Sequence, residues 1–501
     1  MEKRQTKNGV ILLIVLSVIA KAIGVFYRIP LFAVLGANGI GLYQLVFPVY
    51  ALTVAFFSGT TVSLSSSVAQ KNEQNDREGI EKTTDTALVI FGGIGLLVAL
   101  LLTLFSQYVS VFLGNSDAFW AIIAIAPSVF FSSVISLMRG YYQGNGRTWV
   151  VGASFLSEQV LKLSGVIVAL LFSRFLPTFT VMGAMLGITI GEAVTAIILV
   201  VGYLKSKAYS LKPVLSVLRR LLPRTVAVSL GALILPLSTF FDSAIIVNVL
   251  SGYVLKDQAT ALYGLLTGVV NPLISMPAVI TSSFCSWLLP KLCKTSVINR
   301  RATFGAYAKY PLALSLIIAV CVFFFAELIL SVLYPISGTE RSVSESLLKV
   351  GSPIIFIACA LALTTVYLQS LDKAHLPTIN LFVATVLKVI LTPIAVKTFS
   401  VYGAQACTVI SYLIAFVLGC FQSLKYGFGF SLKTLFTVVL SALSFLFFAG
   451  AIYLLVPTLL GCGVGVICGL SVACIVIIRL HVPAFDGFLP EKLTNTHLKP
   501  R

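Results

Sequence analysis

Long apolar stretches follow one another along the whole chain, and short polar segments rich in charged residues separate them. Most stretches hold about 20 residues or more, which is the length that an α-helix needs to cross the hydrocarbon core of a bilayer. They lack the regular alternation of apolar and polar positions that is typical of a membrane β-barrel. The pattern therefore predicts an all-α polytopic membrane protein. The predicted spans are 9–35, 40–69, 84–107, 117–140, 148–173, 180–203, 225–250, 258–285, 305–333, 347–369, 377–397, 402–424, 432–456 and 459–480.

Two sets of six spans and two final spans make up this pattern, about 14 transmembrane helices in total. A polar loop rich in Lys and Arg follows the sixth span and is the natural boundary between two bundles. The predicted organisation is a six-helix bundle at 1–204, a basic cytoplasmic linker at 205–224, a second six-helix bundle at 225–424, helices 13 and 14 at 425–480, and a cytoplasmic tail at 481–501.

A polar turn between two apolar spans occurs twice in similar form. The segment 139–162, RGYYQGNGRTWVVGASFLSEQVLK, shares a pattern with 367–388, YLQSLDKAHLPTINLFVATVLK. The matched positions are Tyr141 with Tyr367, Gln143 with Gln369, and Lys162 with Lys388. Because six spans separate the copies, both keep the same orientation, which predicts parallel repeats related by a pseudo-twofold axis along the membrane normal. A binding site is then expected near the membrane midplane, between the repeats.

Composition agrees with a membrane protein and explains the strong positive charge. The 501 residues are 58% hydrophobic and 10% charged, whereas a typical soluble domain is about 25% charged. The net charge of +18 invites a nucleic-acid interpretation, but most Lys and Arg fall in segments on one side of the predicted spans. This asymmetry predicts a multi-pass protein with both termini in the cytoplasm and no nucleic-acid partner. Membrane lipids are expected partners, since anionic headgroups attract the same residues.

The motifs of most enzymes and metal proteins are missing. The chain has no P-loop sequence and no HExxH motif. Its nine Cys form no CxxC pair and its three His lie far apart, so no metal site is predicted. We therefore expect no catalytic residues, no enzyme activity and no cofactor, and a transport pathway as the function.

The first predicted span carries a polar stripe. Ser17, Lys21, Gly24 and Arg28 are spaced so that they share one face of a helix. Lys21 falls near the middle of the bilayer and Arg28 nearer its outer side. A cation at these depths is costly and is expected to face a wet cavity or a partner, although Arg28 could also reach the headgroup region.

The fifth predicted span contains Glu158 and Lys162, an i,i+4 pair in the favourable order. The two charges could neutralise each other, or Lys162 could meet a substrate and Glu158 could titrate. At the repeated position Lys388 corresponds to Lys162, but Ala384 stands in place of Glu158. Lys388 is therefore predicted to lack a counter-ion, which favours a role in binding substrate.

Three further acids lie within predicted spans. Asp242, Glu192 and Glu327 are candidates for coupling to an ion, or they could pair with basic residues. Sodium ions, protons and the membrane potential are all open as the driving force.

The sixth predicted span contains Gly183, Gly187 and Gly191, a GxxxGxxxG pattern. Small residues at this spacing let two membrane helices approach closely. We expect a close helix–helix contact along this face.

Two stretches resemble a known family of membrane proteins. Residues 35–50, LGANGIGLYQLVFPVY, and the RGYYQG motif at 139–144 with Glu158 and Gln159 are similar to the polysaccharide biosynthesis flippases of the stage V sporulation protein B and MurJ type. These flippases belong to the multidrug/oligosaccharidyl-lipid/polysaccharide exporter superfamily. The resemblance covers essentially the whole chain and agrees with two six-helix bundles followed by two helices.

The resemblance implies that the chain flips an undecaprenyl-pyrophosphate-linked sugar from the inner to the outer leaflet of the bacterial cytoplasmic membrane. In cell-wall members this cargo is lipid II, the peptidoglycan precursor, and the cell-wall synthesis machinery is then a partner. A vegetative role and a sporulation role are both open. The last two helices would form a groove for the lipid tail. By the same resemblance, the stripe with Lys21 and Arg28 maps onto the cationic cavity that holds the pyrophosphate. Independently of the resemblance, a central cavity with Lys21, Arg28, Lys162 and Lys388 would offer charge-assisted contacts to this group.

The sugar of such a substrate needs polar partners, and the repeated hairpins supply candidates. The candidate sugar or gating contacts are Arg139, Tyr141, Gln143, Glu158, Tyr367 and Gln369. A drug or cation antiporter of the same superfamily is the main alternative, and acids should then dominate its cavity. A membrane scaffold or a membrane enzyme would explain neither the repeat nor the intramembrane cations.

Overall fold

In a computed structural model the described residues are 26–173, 177–207, 215–426, 432–455 and 468–472, with a few single residues between 12 and 24. Helices and the turns that join them account for this part of the chain, and it contains no strand. The prediction of an all-α fold is confirmed.

The helices are numbered here in chain order. They are α1 (Arg28–Glu73), α2 (Arg77–Leu104), α3 (Ser106–Phe112), α4 (Phe119–Gly144), α5 (Thr148–Lys162), α6 (Ser164–Phe172), α7 (Pro177–Ser206), α8 (Leu215–Leu250), α9 (Lys256–Gly264), α10 (Asn271–Ser275), α11 (Ala278–Lys294), α12 (Val297–Phe324), α13 (Ala326–Leu333), α14 (Gly338–Gly351), α15 (Pro353–Ser370), α16 (His375–Leu424) and α17 (Leu432–Leu455). A 3-10 turn at Ser116–Ala118 precedes α4, and a π-helix at Leu265–Val270 joins α9 to α10.

Two long helices are bent at single residues that the sequence pattern places between predicted spans. In α1 the break is at Gly36, with φ 66° and ψ −176°. In α16 it is at Ser400, with φ 55° and ψ −147°. Glycine adopts a positive φ without a steric penalty, whereas serine is strained there and is held by its surroundings.

Nine helices of the described part are long and apolar enough to cross a membrane, or ten if the bent pair Lys256–Ser275 and Ala278–Lys294 forms one span. The two limbs of α16, on either side of Ser400, are each long enough to cross, at about 1.5 Å per residue. The start of the predicted span 9–35 and most of 459–480 lie outside the described residues. With these spans and α17 added, the architecture agrees with the predicted polytopic fold of about 14 helices.

The contacts divide the chain into two compact units. The first comprises Met1–Leu273, Leu333–Ser344 and Thr385–Cys407, and the second comprises Ile274–Val332, Glu345–Ala384 and Thr408–Arg501. This division differs from the predicted bundles at 1–204 and 225–424. Those bundles stay a prediction, as do the linker, the last two helices and the tail.

Helix α8 belongs to the first unit because it packs along α1. Oγ of Ser63 donates to the carbonyl of Leu221 at 3.0 Å, and Oγ of Ser229 donates to the carbonyl of Phe56 at 2.5 Å. Gly59 lets the backbones meet, since a side chain at this position would collide with α8. Small polar residues and a glycine therefore form a close, hydrogen-bonded contact between the two helices.

Helices α6 and α7 meet on the glycine-rich face that the sequence predicts. Gly187 of α7 faces the backbone of Gly165 of α6 so closely that an added Cβ would overlap it. Gly183 faces Ala169, and Gly191 lies against the end of α5. The predicted close approach is confirmed.

Replacing Gly187 by alanine is expected to destabilise the protein by about 1–3 kcal/mol or more, because the opposing backbone atoms cannot move aside as a flexible side chain could. The measurement is the apparent melting temperature of the purified protein in detergent. Gly93→Ala in α2 is the control, since an added Cβ at Gly93 has nothing within 4 Å and alanine favours the helix. Equal melting temperatures of the two variants would contradict the close contact.

The second unit has a core of its own, in which Tyr367 of α15 packs edge-on against Phe304 of α12 with ring centroids 5.1 Å apart. Tyr367 lies three residues before the end of α15, and Tyr141 lies three residues before the end of α4. The two hairpins therefore share their register, as the predicted repeat requires.

Candidate functional site

Three charged side chains of α4 and α5 form a buried ion network in the first unit. Oε2 of Glu158 accepts a hydrogen bond from Nη2 of Arg139 at 2.8 Å, and Oε1 accepts one from Nζ of Lys162 at 2.7 Å. The Glu158 side chain is 11% exposed, and the two basic side chains are 12% exposed. One carboxylate therefore faces two cations in a place with little water.

A tight turn brings this network together, although 19 positions separate Arg139 from Glu158. Gly146 takes a positive φ of 73° and reverses the chain between α4 and α5. Nε of Arg139 then donates to Oγ of Ser154 at 2.9 Å, and its guanidinium lies 3.9 Å from the centroid of the Phe155 ring. The glycine-bearing turn thus places Arg139 opposite the acid of the next helix.

A second acid lies close to this network. The hydroxyl of Tyr50 in α1 donates to Oε1 of Glu192 in α7, and both side chains are buried. The other carboxyl oxygen of Glu192 is buried and has no hydrogen-bond partner among the described residues. Nζ of Lys162 lies 5.8 Å from the centroid of the Tyr50 ring, so Glu192, Tyr50 and the network form one polar region.

Arg28, the first residue of α1, extends the same region. Its Nη1 donates to the carbonyl of Thr267 at 3.3 Å, and its charge acts electrostatically on Tyr43 and Tyr334. The charge of Lys162 also acts on Tyr43. No carboxylate of the described residues forms an ion pair with Arg28. Arg28 is thus the cation of this region whose charge is not balanced by an acid in the described part.

We call Arg28, Arg139, Glu158, Lys162 and Glu192 the charge cluster. It joins three basic side chains to two carboxyl groups, so its formal charge is positive. Guanidinium and ammonium groups bind phosphate oxygens through charge-assisted hydrogen bonds, which are stronger where water is scarce. Within the described residues no group of side chains could hold a metal ion. The arrangement is suited to binding a phosphate-bearing molecule.

Lys388 is paired, and the prediction that it lacks a counter-ion is wrong. Its Nζ lies 2.5 Å from Oδ2 of Asp242, and the two side chains are 8% and 13% exposed. The acid comes from α8, 146 positions away in the sequence, so no local spacing in α16 could reveal it. Within the described part of the chain, Oδ1 of Asp242 is buried without a hydrogen-bond partner. Substrate binding by Lys388 and ion coupling by Asp242 stay predictions.

The Tyr–Gln positions of the two hairpins have contacts of their own. Tyr141 is buried against Tyr203, with ring centroids 4.8 Å apart, and Gln143 is exposed. The hydroxyl of Tyr367 donates to a backbone carbonyl at 3.0 Å within the second unit, and Gln369 is half-buried. The two tyrosines therefore stabilise the ends of α4 and α15. A role of these four residues in sugar binding or gating stays a prediction.

Two other predicted residues are not part of the charge cluster. Glu327 is exposed and belongs to the second unit, at the start of α13. Lys21 lies outside the described residues. Their proposed roles stay predictions.

Sequence reasoning missed the tyrosines and the backbone carbonyl of the site. Tyr43 and Tyr50 lie seven positions apart, which places both on one face of α1. That spacing could have identified them, because the tyrosine hydroxyls are polar groups in the otherwise apolar motif at 35–50. The helix face that carries them is expected to face other polar groups. The side chain of Thr267 gives no indication that the backbone carbonyl of this residue belongs to the site.

Replacing Glu158 by glutamine is expected to destabilise the protein by about 3–5 kcal/mol, because Arg139 and Lys162 would stay buried without an acid. Thermal unfolding of the purified protein in detergent measures the change. The control is Glu78→Gln in the exposed pair Lys82–Glu78, which should leave the melting temperature unchanged. A Glu158→Gln variant as stable as the unmodified protein would contradict a buried network.

The fold is that of membrane transporters of known structure. A solved "Lipid II flippase MurJ, inward closed conformation" matches 96% of this chain and 100% of its own, with a TM-score of 0.74 and 15% sequence identity. A multidrug resistance MATE family transporter of the MOP superfamily, in an inward-facing conformation, matches 81% of this chain and 95% of its own, with a TM-score of 0.65 and 16% identity.

Sequence comparison identifies the family within this class. The chain belongs to the polysaccharide biosynthesis protein family, whose profile matches residues 6–296. Among its relatives is the stage V sporulation protein B of Bacillus subtilis (strain 168), which is 25% identical over 406 residues, 77% of each chain. The resemblance predicted from 35–50 and 139–144 is confirmed.

Proposed function

We propose that this protein is a flippase that carries a lipid-linked oligosaccharide across the bacterial cytoplasmic membrane. The observation that carries the proposal is Arg28, a cation within the transporter fold whose charge no acid balances in the described part. A cation within the span of a membrane protein is costly unless a partner compensates it, and a phosphate group is such a partner. Membership in the polysaccharide biosynthesis protein family supports a sugar-bearing substrate.

The substrate class we propose is an undecaprenyl-pyrophosphate-linked sugar. Its charged headgroup cannot cross about 30 Å of hydrocarbon unaided. Lipid II is the particular cargo we favour, because the structural relative described above is a lipid II flippase. The sequence relative suggests sporulation as a second setting in which such a lipid is needed. Partnership with the cell-wall synthesis machinery follows from the same proposal.

In the proposed mechanism, Arg28 and Lys162 bind the pyrophosphate, and Tyr43, on which both charges act, contributes its hydroxyl. The Glu158 carboxylate holds Lys162 in place and keeps the cluster from binding its anion too tightly to release it. No covalent bond changes, so the protein acts as a transporter without catalytic residues. Lys21 remains a proposed contributor to the same task, and Lys388, whose charge Asp242 balances, is proposed as a weaker one.

The driving force is a separate part of the proposal. Glu192 and Asp242 each have a buried carboxyl oxygen that no described residue hydrogen-bonds, which is where a proton or a sodium ion would bind. The membrane potential is the third option, since moving an elementary charge through 100 mV is worth about 2.3 kcal/mol.

The test uses the purified full chain in lipid vesicles that contain a fluorescent undecaprenyl-pyrophosphate-linked sugar. A membrane-impermeant quencher should remove the signal of both leaflets in vesicles with the protein, and only that of the outer leaflet in vesicles without it. Lipid II and other sugar lipids are compared side by side, with and without ion gradients. If vesicles with and without protein behave alike for every sugar lipid and gradient, the proposal fails.

A drug or cation antiporter is the second candidate, and the buried acid Glu192 in a MATE-like fold favours it. An antiporter would exchange an organic cation against protons or sodium in the same vesicles. Transport of a cationic dye that depends on the ion gradient, without flipping of any sugar lipid, would support this candidate instead.

A further inference from the structure

The π-helix at Leu265–Val270 is a rare element in the middle of an otherwise α-helical stretch. A π-helical turn shifts the backbone hydrogen bonds from i−4 to i−5, and such turns often occur at functional positions. Here the shift continues to the end of the segment, where the N–H of Asn271 donates to the carbonyl of Leu266. The N–H of Asn271 is therefore not available to the next carbonyl, that of Thr267.

Neither of the usual helical donors is available to the Thr267 carbonyl. Its α-helical donor would be the N–H of Asn271, which is engaged with Leu266. Its π-helical donor would be residue 272, which is a proline and has no N–H. A partly buried carbonyl without a partner is unfavourable, so this oxygen is expected to accept its hydrogen bonds from elsewhere.

Two side chains of α1 supply those hydrogen bonds. Nη1 of Arg28 donates to the Thr267 carbonyl at 3.3 Å, and Nε2 of Gln44 donates to it at 3.1 Å. A carbonyl oxygen has two lone pairs, and these two donors fill both. Gln44 is itself buried, and Gly268 of the π-helix packs against its side chain. Arg28 is therefore fixed by an oxygen that only this backbone irregularity makes available.

We propose that the π-helix and Pro272 form a positioning element for Arg28, by leaving the Thr267 carbonyl free to hold the guanidinium in the charge cluster. The inference rests on the proposed function, since it takes Arg28 as the group that meets a lipid-linked pyrophosphate. A guanidinium has five N–H donors, so one bond to Thr267 leaves the others for phosphate oxygens. Holding the side chain in advance removes part of the entropy cost of binding.

Pro272→Ala tests this positioning because it adds one N–H beside a carbonyl whose two lone pairs are already used. The new donor competes with Arg28, whose bond of 3.3 Å is the longer of the two. We expect Arg28 to lose its anchor while its charge stays in place. Pro277→Ala is the matched control, since Pro277 also interrupts this stretch. Residue 277 is too far along the chain for its N–H to be a helical donor to the Thr267 carbonyl.

The first measurement needs no substrate. Phenylglyoxal, an arginine-specific reagent, is applied to the purified full chain in detergent, and the modification of Arg28 is followed by mass spectrometry. Pro272→Ala should raise the rate at Arg28 several-fold, while Pro277→Ala should leave it unchanged. Exposed Arg77 serves as the internal reference in all samples. An unchanged rate at Arg28 in Pro272→Ala would overturn the positioning role.

The second measurement is a double-mutant cycle on binding of a short-chain prenyl-pyrophosphate-linked sugar. Pro272→Ala should weaken binding about three- to tenfold in the unmodified chain and cause no further loss in an Arg28→Ala background. An equal loss in both backgrounds would show general damage to the fold and would overturn the inference. If no form of the chain binds the probe, the proposed function fails, whereas the labelling result still decides whether Thr267 positions Arg28.

Discussion

A chain with Arg28 replaced by alanine is expected to insert and fold, but to flip its sugar lipid about 100-fold more slowly or worse. Arg28 is the cation that has no acid partner in the described part, so its removal leaves no buried charge unpaired. The substrate pyrophosphate, by contrast, would lose a charge-assisted contact at a site with little water. Loss of one partner of a buried charge pair costs about 3–5 kcal/mol, and each 1.36 kcal/mol is about a factor of ten in rate.

The same vesicle assay, with an undecaprenyl-pyrophosphate-linked sugar, measures this loss. Arg77→Ala removes an equal charge from the exposed start of α2 and should keep the full rate. Arg28→Lys keeps the charge but loses the planar fork of donors, so an intermediate rate is expected. Full flipping by Arg28→Ala, at normal protein content, would remove Arg28 from the site.

The pair Lys388–Asp242 should have a large effect on stability. Lys388→Met leaves the carboxylate of Asp242 buried without its ammonium partner, and the expected loss is about 3–5 kcal/mol. Adding Asp242→Asn removes the stranded charge, so the double variant should regain most of the melting temperature. A double variant that is as unstable as Lys388→Met alone would contradict a simple ion pair.

Flipping by the double variant then separates the two interpretations of Lys388. Its charge is balanced by Asp242 at 2.5 Å, so it offers little net attraction to an anion. We therefore expect the stable double variant to keep most of its flipping rate. A double variant that is stable but inactive would instead support Lys388 as a pyrophosphate ligand or Asp242 as the coupling acid.

The fold could be predicted from the sequence to a large extent, because the length of an apolar stretch is set by the thickness of the bilayer and not by distant contacts. The breaks at Gly36 and Ser400 fall between predicted spans, where polar or small residues interrupt the apolar pattern. The close contact at Gly187 could also be predicted from local sequence, because small residues at a helical spacing have few other uses in a membrane. The division into two units could not be predicted from local pattern, because it depends on how α8 packs along α1.

The site was predicted only as far as local spacing reaches. Glu158 and Lys162 are four positions apart, and they pair as the helix geometry requires. Arg139 joins them because of the turn between α4 and α5. The sequence predicts this turn, but it does not determine that Arg139 comes within hydrogen-bond distance of Glu158. The partners of Lys388 and Arg28 lie 146 and 239 positions away, and only the tertiary fold brings them together. Lys388, predicted to be unpaired, is neutralised by Asp242. Arg28 is instead the cation that forms no ion pair with an acid of the described residues.

The contact between Gly187 and Gly165 also determines where the first unit is able to deform. Backbone lies on backbone there, so no side chain can change rotamer to permit sliding, and α6 and α7 must travel as one rigid piece. Gly36 is the opposite case, because a glycine at φ 66° with open space around it can rotate without collision. Since Arg28 lies just before Gly36 in α1, a hinge at this glycine would swing the guanidinium itself. Motion and binding would then share one short stretch of chain.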